Sequence, residues 1–425
     1  MESLVAEVFR LINTVQEYAW GSRTAIPELL GQPSPADKPQ AELWMGAHPK
    51  APSQVLLPND GQIALPELIT RNPARILGAA VAEKYSGRLP FLFKVLAAAE
   101  PLSIQAHPNL DQAQAGFRRE NEQGISLDAF RRNYRDANHK PEVISALTPF
   151  WALNGFRPIP EILDLLRLVK FVSIGNQVAA FGSNPTAGGL KALFAALMGL
   201  DQEIRERLIE EALDWAHRQL KGEETHNGLP AGIGSGSMRA GEQTASIARW
   251  LLRLEELYPG DIGVLAPLLL NLVLLQPGDT MFLEAGVLHA YLEGTGIELM
   301  ANSDNVIRGG LTPKHVDVQE LLSILRFEGR AIRLAEAIET VPGLRTFQTP
   351  AEEFRLAEIR VHAQQPYRHP GTDSIELMIV LHGEGRIEAK GELALRQGDS
   401  LLIPASTGPY TIAGSLQLYK AFVPR

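Results

Sequence analysis

The chain has 425 residues, 45% of them hydrophobic, with no cysteine and a formal net charge of −9. That length predicts two or three domains with ample core, and the lack of thiols excludes a disulfide framework and leaves imidazole, carboxylate or amide oxygen to hold any metal. No basic run suits nucleic acid or a membrane surface, no window is apolar enough to span a bilayer, and the opening MESLVAEVFRLINTV lacks signal-peptide features, so a cytoplasmic protein is expected.

Residues 1–157 read mostly as short strands and turns. LPFLFKVLAAAEPLSIQAHP (89–108) holds two apolar runs, Leu89–Ala97 and Leu102–His107, divided at Glu100-Pro101 as by a hairpin or tight corner. From Pro158 the period changes. Ile162, Leu165, Leu166 and Val169, then Leu193, Leu197, Ile204, Leu208, Ala212 and Trp215, recur at helical spacing and predict amphipathic helices up to about Leu257. Within that stretch, the polar and glycine-rich segment 221–242 reads as a mobile loop. Strand signals return after Tyr258-Pro259-Gly260, a short helical stretch falls in 315–340, and the C-terminal segment is again strands.

An internal repeat organises the β segments. QPGDTMFLEAGVLHAY, from Gln276, is similar to RQGDSLLIPASTGPYT, from Arg396; Gly278-Asp279 aligns with Gly398-Asp399, Ala285 with Ala405, and His289 falls opposite Pro409. A glycine-aspartate turn, a strand, a small-residue turn and a return strand make one corner of a jelly roll. The expected fold class is mainly β with an α-helical insertion. A first jelly roll would comprise 1–157 with 261–326, a helical domain 158–260, and a second jelly roll 327–425.

The residues with chemical potential are scattered. Gln105 and His107 share a strand face in SIQAHP, and fit either a polar strand end or a pair of ligands. His289 is either a core histidine or a ligand, and its loss from the second copy speaks against a purely structural role. NHKPE (138–142) is either a solvated turn or the mouth of the apolar strand VISALTPFWAL, where Glu142 needs a cation or metal beside it. Together they would suit one Zn2+, with positions open to water or a substrate hydroxyl. SDNVIRGGLTPKH (303–315) adds Asp304, Arg308 and Lys314, whose cations with Lys140 and Lys94 would hold an anion against the acidic background.

AELWMGAHPKAPS (41–53), the segments 89–108 and 138–142, FLEAGVLHAYLEG (282–294) and 303–315, with NTVQEYAWGS (13–22), resemble type I mannose-6-phosphate isomerases (phosphomannose isomerases) in order and spacing over most of 10–325. The resemblance implies two cupin-type jelly rolls with a helical domain, and interconversion of mannose 6-phosphate and fructose 6-phosphate by proton transfer between C1 and C2 through an enediolate. It implies zinc ligands Gln105, His107, Glu142 and His289. It implies catalytic roles for Arg308, Lys140, His139, Glu298 and Asp304, and substrate contacts from Ser103, Lys314, Lys94 and Trp20. Which residue is the base stays open, as does whether Arg308 faces the phosphate or the reacting carbons. Asn109-Leu110 departs from the Asp-Lys pair usual in the family, which removes a charge pair near the entrance. The expected partner is a small sugar phosphate and the expected state a monomer or weak homo-oligomer. The competing readings are a metal-dependent cupin oxygenase and a non-enzymatic bicupin sugar-binding protein.

Overall fold

A computed structural model describes residues 8–58, 61–222, 240–371 and 373–424. The loop expected at 221–242 lies mostly outside the described residues.

Period-2 patterning builds the first jelly roll. Strand Phe91–Ala98 pairs with the far half of the long strand His289–Ala301, which pairs on its other side with Glu142–Ala146. Phe91, Phe93, Val95, Ala97, Val143, Ile297 and Leu299 form one apolar face, packed against Phe354, Leu356, Leu377 and Tyr419 of the second jelly roll. The alternate positions, Lys94, Glu142 and Glu298 among them, turn to the barrel interior. Lys94 and Ile144 both stand opposite Glu298.

The near half of the long strand crosses into a second sheet, where it pairs with Ile104–Ala106 and Phe150–Phe156. The break at Glu100-Pro101 is therefore a corner, since the apolar runs before and after it pair with opposite ends of one strand. Helices cover the outside of this second sheet: Ile159–Val169, Gly175–Ser183, Ala187–Met198, Gln202–Leu220 and Ala240–Leu257. Ile162, Leu165, Val169, Leu193, Leu208 and Trp215 share one core with Leu153, Phe156, Leu272 and Leu288 of the strands, while Ile204 is only partly buried. The first jelly roll is thus clasped between the helices and the second jelly roll.

The strand-and-turn expectation for 1–157 omits a helix at Leu110–Glu122. Its buried stripe is Ala113, Gly116 and Glu120, too small and polar to register as periodic apolarity. Gly116 lets Tyr134 approach so closely that a Cβ there would meet the ring at 2.3 Å. The legible signal was the capping box, in which Asn109 Oδ1 accepts from the Gln112 amide at 2.8 Å and Gln112 Oε1 from the Asn109 amide at 2.9 Å.

The repeat is visible in the backbone. Gly278 and Gly398 adopt φ of 91° and 85°, and the Asp279 and Asp399 carboxylates each accept the amide three residues upstream at 2.8 Å. Strands Thr280–Leu283 and Ser400–Ile403 follow, and Tyr410–Phe422 is the counterpart of His289–Ala301. The second sheet system also recruits N-terminal strands: Phe9–Ile12 pairs with Ser400–Ile403 and with Gln54–Leu56, which pairs with Gln62–Ala64. By pairing, these strands go with the C-terminal segment rather than with the remainder of 1–157. Among the described residues no helix is long and apolar enough to cross a membrane.

Candidate metal centre and active site

His107, Glu142 and His289 converge in the first barrel with exposures of 1%, 1% and 0%, and ligand atoms of all three lie within 4.8 Å of one another. His107 Nδ1 donates to the Asn305 carbonyl at 2.8 Å and His289 Nδ1 to the Val287 carbonyl at 3.0 Å. A carbonyl only accepts, so both Nε2 lone pairs are left free, and both aim at Glu142. The separations are 3.3 Å from His107 Nε2 to Glu142 Oε1 and 3.5 Å from His289 Nε2 to Oε2. Ligands at about 2.0–2.1 Å from a tetrahedral zinc stand ~3.4 Å from one another. Both Nε2 atoms and Glu142 Oε2 are buried without a hydrogen-bond partner among the described residues. Leaving three buried polar atoms unmatched is costly, and a divalent cation between them removes the cost.

Electrostatics keep the set in its ligating form. Burial, assisted by Lys140, pushes the His107 imidazole down to about 4, so it is neutral at physiological pH. Burial opposes ionisation of Glu142, but Lys140, 2.9 Å from Oε1, and His107 hold its carboxyl well below the usual range. Gln105 stands directly opposite His289 on one side and Arg308 on the other, which puts its amide in the same row as the histidine and the arginine. The donor set fits zinc, with a borderline mix of nitrogen and oxygen and no thiolate.

Beside this cluster lies a buried ion pair. Lys94 Nζ is 2.8 Å from Glu298 Oε2 and 3.5 Å from Glu42 Oε1, and sits 5.6 Å above the Trp44 ring, whose Nε1 donates to Glu42 at 2.6 Å. Burial alone would favour neutral Lys94, but Glu298 and Glu42 outweigh it and raise its pKa. Burial, together with Glu142 and Glu42, raises that of Glu298 despite Lys94. Tyr291, two positions after His289, is buried, and its hydroxyl has no hydrogen-bond partner among the described residues.

The remaining candidates sit farther out. Ser103 is half-buried just before the Gln105 strand. Trp20 stacks on Tyr18 with centroids 5.7 Å apart and packs on the apolar cluster that includes Tyr291. Asp304 is bound by Lys50 at 2.8 Å and faced by His48 at 3.6 Å, which with Lys50 holds its carboxyl far below the usual range. His139 turns away from the metal cluster, its Nε2 2.6 Å from Glu353 Oε1. Asp304, His139 and Glu353 line an open cleft of 740 Å³ with Lys50, Arg135 and Ser303. Arg308 is half-buried with its Nε unpartnered among the described residues, and Lys314 is exposed.

Four participants escaped the sequence reading. Tyr291 and Glu42 were accessible by alternation, from His289 and from Trp44. Asn305 and Glu353 act through contacts across 198 and 214 residues, which no local pattern announces.

Comparisons with known proteins agree with this geometry. Residues 8–159 match the model of the phosphomannose isomerase type I catalytic domain, and residues 344–423 that of the mannose-6-phosphate isomerase cupin domain. The mannose-6-phosphate isomerase of Salmonella typhimurium is 40% identical over 415 residues, covering 97% of this chain and 99% of the relative. The human enzyme of that name is 36% identical, covering 88% of each. A crystal structure of a phosphomannose isomerase point mutant from Salmonella typhimurium superimposes with a TM-score of 0.87 at 38% identity, covering 99% of this chain and 100% of that one. A zinc-bound mannose 6-phosphate isomerase gives 0.85 at 38% identity, with 99% and 100% covered.

Proposed function

The chain belongs to the type I phosphomannose isomerase family, and on that premise we propose that it interconverts mannose 6-phosphate and fructose 6-phosphate with one zinc ion. The observation that carries the reading is the buried His107–Glu142–His289 cluster beside the Lys94–Glu298 pair, a metal-ready ligand set next to a carboxylate with raised proton affinity. Zinc would be held by these three residues with Gln105, and bound there it supplies Lewis acidity to the oxygens at C1 and C2.

The chain's own residues then divide the work. Glu298 takes the proton from one carbon and returns it to the next, while a matching hydroxyl proton passes between the oxygens on C2 and C1; burial and neighbouring carboxylates raise the Glu298 pKa toward that task. Lys94, held as an ammonium, and Lys140 offset the negative charge of the enediolate. Arg308 and Lys314 grip the phosphate and so fix the reacting carbons. Asp304, held ionised by His48 and Lys50, is a poor base and orients substrate instead. Ser103, Trp20 and His139 shape the entrance. We assign this chemistry to residues 1–157 with 261–326, apart from the N-terminal strands that pair with the C-terminal sheet, flanked by a helical domain, 158–260, and a second jelly roll, 327–425. The enzyme would work in the cytoplasm as a monomer or weak homo-oligomer. Oxygenase chemistry is not favoured, because the family and the zinc-bound relative both point to isomerisation.

A coupled assay with mannose 6-phosphate, alongside metal analysis, tests the reading. One zinc per chain, activity abolished by chelation and its return with zinc are expected; a metal-free protein with full activity would overturn it. In the same assay Glu298→Gln should lower kcat by about 10³-fold while zinc is retained. An unchanged kcat would move the proton transfer elsewhere.

A further inference from the structure

We propose that Arg135, on the loop leading into NHKPE, is the third cation of the phosphate grip, closing a triad with Arg308 and Lys314. The inference rests on the functional reading above and deepens it at one end of the substrate.

Around the metal cluster, Lys140 is held by Glu142, Lys94 by Glu298, and Lys50 by Asp304. Arg135, Arg308 and Lys314 are different: among the described residues none of them forms an ion pair with a carboxylate, in a chain whose net charge is −9. They nonetheless sense one another. Burial and then Arg135 lower the pKa of Arg308, while burial, Arg308 and Arg135 lower that of Lys314. Neighbouring cations with no carboxylate in ion-pair contact among the described residues hold a local positive potential, which a dianion placed among them relieves.

The placement of Arg135 is built. Its backbone amide donates to Asn305 Oδ1 at 2.7 Å, and the Asn305 carbonyl is the acceptor that orients the metal ligand His107. Asn305 also ties down the rest of the loop, its Nδ2 donating to the carbonyls of Asp136 at 2.8 Å and Asn138 at 2.9 Å. Arg308 follows three residues later and pairs in the sheet with Gln105. One fully buried asparagine therefore fixes the distance between Arg135, the metal cluster and the Arg308 strand. The Arg135 side chain is exposed and lines the 740 Å³ cleft, so it is reachable from solvent. An exposed guanidinium on the loop and a half-buried one on the strand that follows Asn305 offer charge-assisted donors from two elements, which suits a tetrahedral phosphate.

Arg135→Gln and Arg135→Lys in the full-length, zinc-loaded protein test this. Three quantities are read: KM for mannose 6-phosphate, kcat, and the dissociation constant of inorganic phosphate by calorimetry. Loss of one charge-assisted contact predicts that both KM and the phosphate constant rise about 10-fold in the glutamine variant, with kcat changing far less and the lysine variant recovering most of the loss. KM and phosphate affinity within twofold of wild type, or a fall in kcat at unchanged KM, would overturn the proposal. Calorimetry needs no turnover. A wild-type protein that binds phosphate through Arg135 yet does not isomerise would sink the functional reading and leave the triad standing.

Discussion

Asn305 shows how one residue, through backbone and side chain together, can govern a centre it does not touch chemically. Its carbonyl fixes the tautomer and tilt of His107, and its amide holds the loop from Arg135 to Asn138 against the segment that follows the long strand. Asn305→Ala keeps the carbonyl but strips backbone groups of Arg135, Asp136 and Asn138 of their buried partner. Those lost bonds should cost about 2–4 kcal/mol of stability. Because the carbonyl moves with its loop, zinc affinity should fall about 10-fold or more. Titration with a competing chelator measures the second effect independently of folding. Unchanged zinc affinity in a folded variant would mean that His107 is oriented by strand geometry alone.

Among the elements, the two glycine-aspartate turns offer a matched comparison. Gly278 and Gly398 share a left-handed backbone, with φ of 91° and 85°, so alanine carries a similar strain of about 1–2 kcal/mol at either. Their surroundings differ. A Cβ on Gly278 meets only the flexible end of Arg345, at 3.9 Å, whereas on Gly398 it would lie 2.7 Å from the Leu29 carbonyl oxygen. Gly398→Ala should therefore lower the melting temperature clearly more than Gly278→Ala, and equal losses would show that the Leu29 loop yields freely. This pair also marks how far local pattern reaches. Gly278-Asp279 and Gly398-Asp399 were legible because a turn is written within four residues, whereas the interior face of Phe91–Ala98 was not, because Lys94 alone breaks an apolar run buried along its whole length. The helix Leu110–Glu122 was obscured because its core face is alanine and glycine against Tyr134, with a polar capping box as its only strong mark. The ligand set was legible only in outline. Gln105, His107, Glu142 and His289 each had a bland alternative until long-range pairing put His289 opposite Gln105.

In the whole molecule, the second jelly roll is more than a buttress. Its sheet packs on the back of the strands that carry Lys94, Glu142 and Glu298, Tyr419 meets Ser145 at 2.9 Å, and the segment leading into it reaches the active-site loop. There Lys84 holds Glu352 at 2.8 Å and His139 holds Glu353 at 2.6 Å. Glu353 thus joins the C-terminal segment to the same NHKPE loop that supplies Glu142. Burial opposes its charge, but His139 holds its carboxyl below the usual carboxylate range. A carboxyl whose folded pKa is depressed contributes stability that is fully present above its unfolded value, about 4.3, and that is lost as pH falls through the lower folded value. Glu353→Gln should therefore lower the melting temperature by about 1–3 °C at pH 7, the modest effect of a partly exposed pair. The gap from wild type should narrow steadily from pH 5 to pH 3.5, as the wild-type carboxyl takes up its proton. Since the same pair positions His139 on the cleft wall, kcat/KM should fall with the stability at pH 7 while zinc content holds. A gap independent of pH would show that Glu353 acts through packing, and kcat/KM equal to wild type would free the active-site loop from the second jelly roll.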